Sequence, residues 1–146
     1  MSINTQFALG VHLLTLLAAL APETLSSDAM AESADANPVQ VRRVLGRFRH
    51  AGLVTSKPGV GGGSQLIKDP ATITLGDVWR IVHGDDRVLG SYTGAPDCPV
   101  GRSIDSWVTE IDRRARHAIE DELDKTTIAE LVDRANAGPR EGLRRP

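Results

Sequence analysis

The sequence predicts a mainly α-helical protein that carries one small two-stranded β-hairpin. Three observations support this fold class. Apolar residues recur at intervals of three and four along most of the chain, and residues that favour helix N-caps precede these stretches. A glycine-rich turn separates two short strand-like runs at 53–56 and 64–67. With 146 residues, the chain is long enough for one compact domain and an additional helical element.

The first helix is expected at 7–21, where apolar residues occupy almost every side. Such a helix is typical of burial among other elements. The run is only about fifteen residues long, contains His12 and Thr15, and has no basic segment ahead of it. It is therefore interpreted as a core helix and not as a signal peptide or membrane anchor, and we expect a cytoplasmic protein.

Two further helices form a helix-turn-helix pattern. A short capped helix begins near Ser27, the turn falls at 35–37, and Asn37 can cap a second helix that starts at Pro38 and continues to about His50. The spacing of Val41, Val44, Leu45 and Phe48 assigns them to one buried stripe. The exposed side then carries the following residues: Val39, Gln40, Arg42, Arg43, Gly46, Arg47 and His50.

The hairpin that follows is expected to form a wing. Its strands lie at 53–56 and 64–67, and its turn at 57–63 is rich in glycine. A nucleotide site is disfavoured, because neither the Lys-Ser/Thr ending of a P-loop nor a helix follows the glycines. The pattern predicts a winged helix-turn-helix domain.

Charge is sorted along the chain. Residues 36–68 hold no acidic residue, and the other 11 Lys and Arg stand against all 19 Asp and Glu, so the rest of the chain has a net charge of −8. This sorting indicates a polyanionic partner, and an aromatic content of 3% argues against base stacking by a single-strand binder. Duplex DNA is favoured by six basic residues: Arg42, Arg43, Arg47, Arg49, Lys57 and Lys68.

The second half predicts three helices. Thr74 can cap one that ends near Gly84, a turn-rich loop occupies 85–101, and a longer helix spans about 103–124. Apolar residues form a stripe along the whole of this helix. The stripe favours packing against a second copy of the chain related by a two-fold axis, and docking on the chain's own core is the alternative. Its members are Ile104, Val108, Ile111, Ala115, Ala118, Ile119 and Leu123.

We divide the chain into four segments. Residues 1–84 form the winged DNA-binding domain, 85–101 a sensor loop, 102–136 the dimerisation helices, and 137–146 a disordered tail. Thr126 and Thr127 cap the last helix of the third segment.

Several motifs together resemble the Rrf-two family of bacterial winged helix-turn-helix regulators. They are FALGVHLL at 7–14, the helix-turn-helix, AGLV at 51–54, the glycines at 61–63, ITLGDV at 73–78 and VHGD at 82–85. The resemblance implies a dimeric repressor or activator whose recognition helix enters the major groove while the wing reaches the neighbouring minor groove. The chain departs from the family pattern at Pro58, where many relatives carry Arg, and at Ser64, where an aromatic is frequent.

The predicted function is sequence-specific transcriptional regulation, as a repressor that binds a pseudo-palindromic operator as a homodimer. Gln40, Arg42 and Arg43 are expected to read bases, and Arg47 and Lys57 to contact phosphates or groove edges. The alternative is a winged interaction protein that senses a metabolite or docks a protein partner; no catalytic constellation supports an enzyme. The full DNA-binding set is Ser27, Pro38, Val39, Gln40, Arg42, Arg43, Arg47, Lys57, Gly61 and Gly62.

Cys98 is the single cysteine, and it lies in the loop where some relatives carry three cysteines for iron-sulfur, nitric oxide or redox sensing. One thiolate cannot supply a four-ligand cluster or a structural zinc site, so we expect neither a cofactor nor a metal. Because Arg102 and a helix start lie nearby, Cys98 is a candidate redox switch, weighed against an ordinary unreactive thiol. A small-molecule effector in the 85–101 loop is left open, and no membrane partner is expected.

Overall fold

The computed structural model describes residues 3–138, with side chains from Thr5 onward. These residues form a mainly helical chain with one two-stranded antiparallel sheet, which confirms the predicted fold class. The predicted tail at 137–146 lies largely outside the described residues. The elements are α1 (Ile3–Leu20), α2 (Ser27–Ala34), α3 (Pro38–His50), β1 (Val54–Lys57), β2 (Gly63–Leu66), a 3-10 turn (Pro70–Thr72), α4 (Leu75–His83), α5 (Pro99–Leu123) and α6 (Ile128–Ala137).

Helix α1 is the centre of the core, as its all-round apolar sequence predicts. It packs against α3, α4 and α6. Gly10 lies where an added Cβ would approach the Phe48 ring at 2.9 Å, so its missing side chain lets α1 and α3 come close. The fully buried side chains of this core include Leu13, Leu14, Leu17, Met30, Val41, Val44, Phe48, Ile73, Val78 and Ile128.

The helix-turn-helix has the boundaries that its capping residues predict. The Ser26 hydroxyl accepts from the Ala29 N–H at 3.1 Å and starts α2. Asp35 ends α2 in the left-handed conformation, at φ 46°. The Asn37 carboxamide then accepts from the Val39 N–H at 2.8 Å and starts α3. Two successive caps therefore fix the turn between the helices.

The hairpin strands pair in antiparallel register, with Val54 opposite Leu66 and Lys57 opposite Gly63. The first strand begins one residue later than predicted and the second one residue earlier, while the Ile67 N–H still donates to the Leu53 carbonyl at 3.0 Å. Leu25 forms an additional bridge to Ser64 in β2. This bridge fastens the hairpin to the loop that enters the helix-turn-helix.

Helix α5 begins at Pro99, earlier than predicted, because Cys98 caps it and Pro99 suits the first helical turn. Gly101 and Asp112 are the buried residues of α5, and neither supplies an apolar side chain. Trp107 is 59% exposed, and Ile111 is 47% exposed. The apolar stripe of α5 is therefore only partly covered by the chain itself: Ile111 and Ala118 are exposed, and the other members are half-buried.

Polar contacts attach α5 to the rest of the molecule. Arg80 in α4 donates to Asp124 at 2.6 Å and to Glu120 at 3.3 Å. In the loop before α5, Arg87 donates to Asp105 at 3.0 Å, and the Leu89 N–H donates to the Asp112 carboxylate at 2.6 Å. These contacts hold α5 against α4 and the preceding loop, while Trp107 and Ile111 stay exposed.

Helix α6 packs against α1 and the 3-10 turn. Ile128 is fully buried in the central core, and Leu131 packs against the same cluster. The grouping of α5 and α6 as dimerisation helices stays a prediction, but α6 also completes the core of the winged part.

Candidate nucleic-acid interface

The basic residues of segment 36–68 lie on the surface formed by α3 and the hairpin. Arg42, Arg43, Arg47, Arg49 and Lys57 are all exposed. Among the described residues, Arg42 has a carboxylate partner, Asp28 at 3.1 Å, and the other cations of this segment have none. The surface therefore presents several uncompensated positive charges.

One side of α3 faces α4 across a groove of about 490 Å³. We call it the α4-side groove. The Arg47 guanidinium spans it and donates to the Val82 carbonyl near the end of α4. Arg47 was predicted to contact phosphate, and this bond gives it a structural role as well. The groove is lined by Arg43, Gly46, Arg47, His50, Ala51 and Ile81.

The other side of α3 faces the hairpin across a cleft of about 270 Å³, the wing-side cleft. Arg42 donates to the Ser27 hydroxyl at 3.2 Å. Arg49 donates to the Ser56 hydroxyl of β1 at 2.8 Å. The cleft is lined by Ser27, Arg42, Leu45, Arg49, Ser56, Lys57, Gly63 and Ser64.

Arg49 is not a member of the DNA-binding set predicted from the sequence. A signal for its position exists in the sequence, because Arg49 follows Arg42 by seven residues and two helical turns return to the same face. Its contact with Ser56 could not be read from that spacing, since it depends on how the hairpin folds back on α3.

The start of α3 is accessible, with Pro38 exposed and Val39 55% exposed. Gln40 differs from its predicted orientation, because it is half-buried and its Oε1 atom is buried without a hydrogen-bond partner. A bidentate contact to adenine uses both atoms of the carboxamide. Gln40 must therefore rotate before it can read a base in that way.

The wing tip is built from glycines that few other residues could replace. Gly61 has φ +74° and is exposed. A Cβ on Gly62 would collide with the Lys57 carbonyl, and the Gly62 N–H donates to the Gly59 carbonyl at 3.1 Å. Val60 at the tip is fully exposed. The tip is narrow enough for its backbone to approach a ligand closely.

Cys98 is exposed and unpaired by disulfide. Its sulfur accepts from the Gly101 N–H at 3.4 Å, which is the capping contact of α5. Arg102, predicted to lie near the thiolate, donates instead to the Pro96 carbonyl at 2.8 Å. The structure places the thiol at a helix start, as predicted, with the Arg102 guanidinium bonded elsewhere.

Comparison with known families identifies the protein's relatives. Residues 3–134 match the family described as Rrf2: Iron-dependent Transcriptional regulator. The chain belongs to the Rrf2 family. It is accordingly a DNA-binding transcriptional regulator and not an enzyme, which confirms both the resemblance in its motifs and the absence of a catalytic constellation.

Individual relatives agree with this assignment. The chain is 34% identical over 132 residues to YwnA of Bacillus subtilis, named as an HTH-type transcriptional regulator, with 90% of this chain and 97% of that protein covered. The solved structure of CymR, the global cysteine regulator of B. subtilis, matches with a TM-score of 0.65 and 26% identity, covering 91% and 97%. A solved structure from Lactobacillus plantarum matches with a TM-score of 0.75, 24% identity and coverage of 90% and 89%, which shows the fold.

The family description names iron, and the donor set of this Rrf2 chain does not fit an iron centre. An iron-sulfur cluster takes its ligands mainly from thiolates, and the whole sequence has one cysteine. Within residues 3–138, no three His, Cys, Asp or Glu side chains are grouped closely enough to hold a metal ion.

Within the described part of the chain, no helix is both long and apolar enough to cross a membrane.

Proposed function

We propose that this Rrf2 protein is a sequence-specific repressor that binds a pseudo-palindromic operator as a homodimer. The observation that carries the proposal is the surface of α3 and the hairpin, where Arg43, Arg47, Arg49 and Lys57 have no carboxylate partner among the described residues. Unpaired cations grouped on one surface attract a polyanion and release its counterions on binding.

The arrangement of charge suits a helix that lies in a major groove. A recognition helix in the groove has a phosphate backbone on each side of it. In this protein, the α4-side groove carries Arg43 and Arg47, and the wing-side cleft carries Arg42, Arg49 and Lys57. Both sides of α3 are thus equipped to face a DNA strand.

Base reading is assigned to Arg42 and Arg43, with Val39 as an apolar contact. Arginine pairs in bidentate fashion with guanine, and each such pair discriminates by about 1–3 kcal/mol. Ser27 and Asp28 hold the Arg42 guanidinium at 3.2 and 3.1 Å, which restricts its rotamers before DNA arrives. The glycines of the wing tip are assigned to the neighbouring minor groove.

Dimerisation is proposed through α5. Ile104, Trp107 and Ile111 lie on one side of this helix, and none of them is buried by the chain's own core. A second copy is the simplest source of a matching apolar surface, and a two-fold axis would place two recognition helices on half-sites about one helical turn apart.

Repression is proposed because a dimer that covers its operator excludes other proteins from the same DNA. Action on DNA, as in its bacterial relatives, supports the proposal that the protein works in the cytoplasm.

Thiol sensing at Cys98 stays a prediction. What supports it is an exposed thiol that also caps α5, so that oxidation would change the start of the proposed dimerisation helix. Peroxide is then expected to change DNA affinity in the wild type and to leave Cys98→Ser unaffected. Equal affinity of the wild type with and without peroxide contradicts the prediction.

The main test is fluorescence anisotropy of the purified protein on its own upstream promoter and on scrambled DNA, at two salt concentrations. We expect tighter binding to the promoter and a loss of affinity as salt rises. Equal binding to both DNAs contradicts sequence-specific regulation and favours a winged domain that docks a protein partner.

A further inference from the structure

We propose that the wing-side cleft is a binding site for a single phosphate group, held by Arg49 and Lys57 beside Arg42, which is paired with Asp28. This inference extends the proposed DNA-binding function. It rests on that function for the assumption that the phosphate belongs to a DNA backbone. Arg49 and its partner Ser56 are the new members of the site, since neither of them belongs to the DNA-binding set predicted from the sequence.

The cations of the cleft come from two elements. Arg42 and Arg49 extend from the same face of α3, separated by seven residues, which corresponds to about 10 Å along a helix. Lys57 is the last residue of β1 and lines the same cleft from the hairpin. A group in the cleft therefore meets positive charge on both walls.

Neutral hydroxyl groups complete the lining. Ser27, Ser56 and Ser64 border the cleft, and two of them already accept hydrogen bonds from the arginines. A serine hydroxyl that accepts from a guanidinium keeps its own hydrogen for donation. Hydroxyl and guanidinium donors that line one concavity match the acceptor oxygens of a phosphate group.

The charge of the cleft is only partly neutralised. Asp28 pairs with Arg42 at 3.1 Å, while Arg49 and Lys57 have no carboxylate partner among the described residues. On α5, by contrast, Arg113 and Arg116 each pair with a glutamate of their own helix. Two unpaired cations in a small cleft leave room for one anion.

The dimensions favour a single phosphate group over a whole nucleotide. Pockets that enclose drug-sized ligands usually measure about 300–1,000 Å³ and are mostly apolar. The cleft measures about 270 Å³ and opens to solvent between α3 and the hairpin. A DNA backbone phosphate and a free inorganic phosphate share the chemistry that fits it, so the test distinguishes these two sources.

The DNA arm compares Arg49→Gln with Arg134→Gln. Both variants remove one positive charge from an exposed side chain, and Arg134 lies on α6, outside the cleft and outside segment 36–68. For Arg49→Gln we expect about a 5- to 10-fold loss of affinity on promoter and scrambled DNA alike, and a salt slope smaller by about one. Arg134→Gln is expected to keep the wild-type affinity within about twofold.

Ser56→Ala tests the positioning of Arg49 without a change in charge. Loss of the hydroxyl frees the guanidinium to leave the cleft, so we expect a weaker affinity with the salt slope reduced in the same direction as for Arg49→Gln. Thermal unfolding midpoints of Arg49→Gln and Ser56→Ala are expected to match the wild type, because both side chains are at least partly exposed.

The free-phosphate arm follows the backbone amide resonances of Ser27, Ser56 and Ser64. Inorganic phosphate is added to the wild type and to Arg49→Gln, and chloride at equal ionic strength serves as the reference. Resonance shifts that saturate with phosphate in the wild type and are absent in Arg49→Gln show that a free anion occupies the cleft.

The outcomes separate the two proposals. A DNA effect with no response to free phosphate assigns the cleft to the DNA backbone, and a response to free phosphate alone assigns it to a soluble anion. Wild-type DNA affinity in Arg49→Gln together with no phosphate response overturns the cleft proposal, while promoter preference of the wild type still stands. If the wild type binds promoter and scrambled DNA equally, the proposed function is contradicted. The phosphate titration then decides whether the cleft binds an anion.

Discussion

Helices α3 and α5 both carry an apolar stripe and several arginines. The two helices differ in whether the stripe is buried and in whether the arginines have carboxylate partners. In α3 the stripe of Val41, Val44, Leu45 and Phe48 is buried, and most of the cations are unpaired. In α5 no apolar side chain is buried, and Arg113, Arg114 and Arg116 each have a glutamate within 4 Å on the same helix.

This difference indicates which kind of partner each helix can bind. The core already covers the apolar side of α3, so its free cations are the surface available to a polyanion. Glutamates of α5 pair with Arg113, Arg114 and Arg116, so the apolar stripe of the helix is the surface available to another helix. The recognition surface therefore uses the arginines of α3, and the proposed dimer surface uses the apolar residues of α5.

The largest expected effect concerns the buried stripe. Phe48→Ala removes a fully buried ring that packs beside Gly10, and we expect it to lower the free energy of unfolding by about 3–5 kcal/mol. Urea unfolding followed by circular dichroism measures this loss.

Trp107→Ala is the matched control, because it deletes an aromatic ring of α5 that is 59% exposed. At protein concentrations low enough to dissociate a dimer, we expect a change of under about 1 kcal/mol. Equal losses in the two variants would contradict the contrast between the helices.

The second effect concerns the exposed stripe. Ile111→Glu puts a charge in the middle of the proposed dimer surface, and we expect a monomer in sedimentation equilibrium. Operator affinity should fall on the order of 100-fold, because two linked half-site contacts become independent. Ser106→Glu adds the same charge on the opposite side of α5 and is expected to remain dimeric. If the Ile111→Glu variant remains dimeric, the assignment of the α5 stripe as the dimer surface is wrong.

The third effect concerns the free cations of α3. Arg43→Gln is expected to weaken binding to the cognate operator by about 1–3 kcal/mol and to affect scrambled DNA less, because a base contact is lost. Arg113→Gln removes the same charge from an ion-paired position on α5 and should leave operator affinity within about twofold. If both variants weaken binding equally, net charge and not position governs the interaction.

The smallest effect concerns the polar attachment of α5. The hydrogen bond from Arg80 holds the pKa of the Asp124 carboxyl below its ordinary value. A carboxyl group with a lowered pKa in the folded state stabilises the fold above its unfolded pKa of about 4, and this contribution disappears as the pH falls through the folded pKa.

Asp124→Asn is therefore expected to be slightly less stable than the wild type at pH 7 and to lose less stability on acidification. The difference should stay under about 1 kcal/mol, since both partners are 39% exposed and solvent screens the pair. Urea unfolding at pH 7 and pH 3 measures it, and parallel losses in both proteins would show that the pair carries no pH dependence.

Local chemistry determined much of this protein from the sequence by itself. Asn37 with Pro38, Thr74 and Thr127 mark helix starts because a cap needs only its own side chain and the next few N–H groups. The stripe of α3 follows from helical periodicity, and the absence of acidic residues at 36–68 marks the basic surface. The motifs also identify the Rrf2 family, so the class of function was available before any coordinates.

Only the tertiary structure decided which charges are free and which apolar faces are covered. Arg42 meets Asp28 across 14 residues of sequence, Arg47 meets Val82 across 35, and Arg49 reaches the hairpin. No periodicity encodes these distances, because they depend on how separate elements pack. The same holds for α5, whose stripe looks like a core stripe in sequence and is at most half-buried in the structure, because polar contacts to Arg80, Arg87 and Leu89 hold the helix in place.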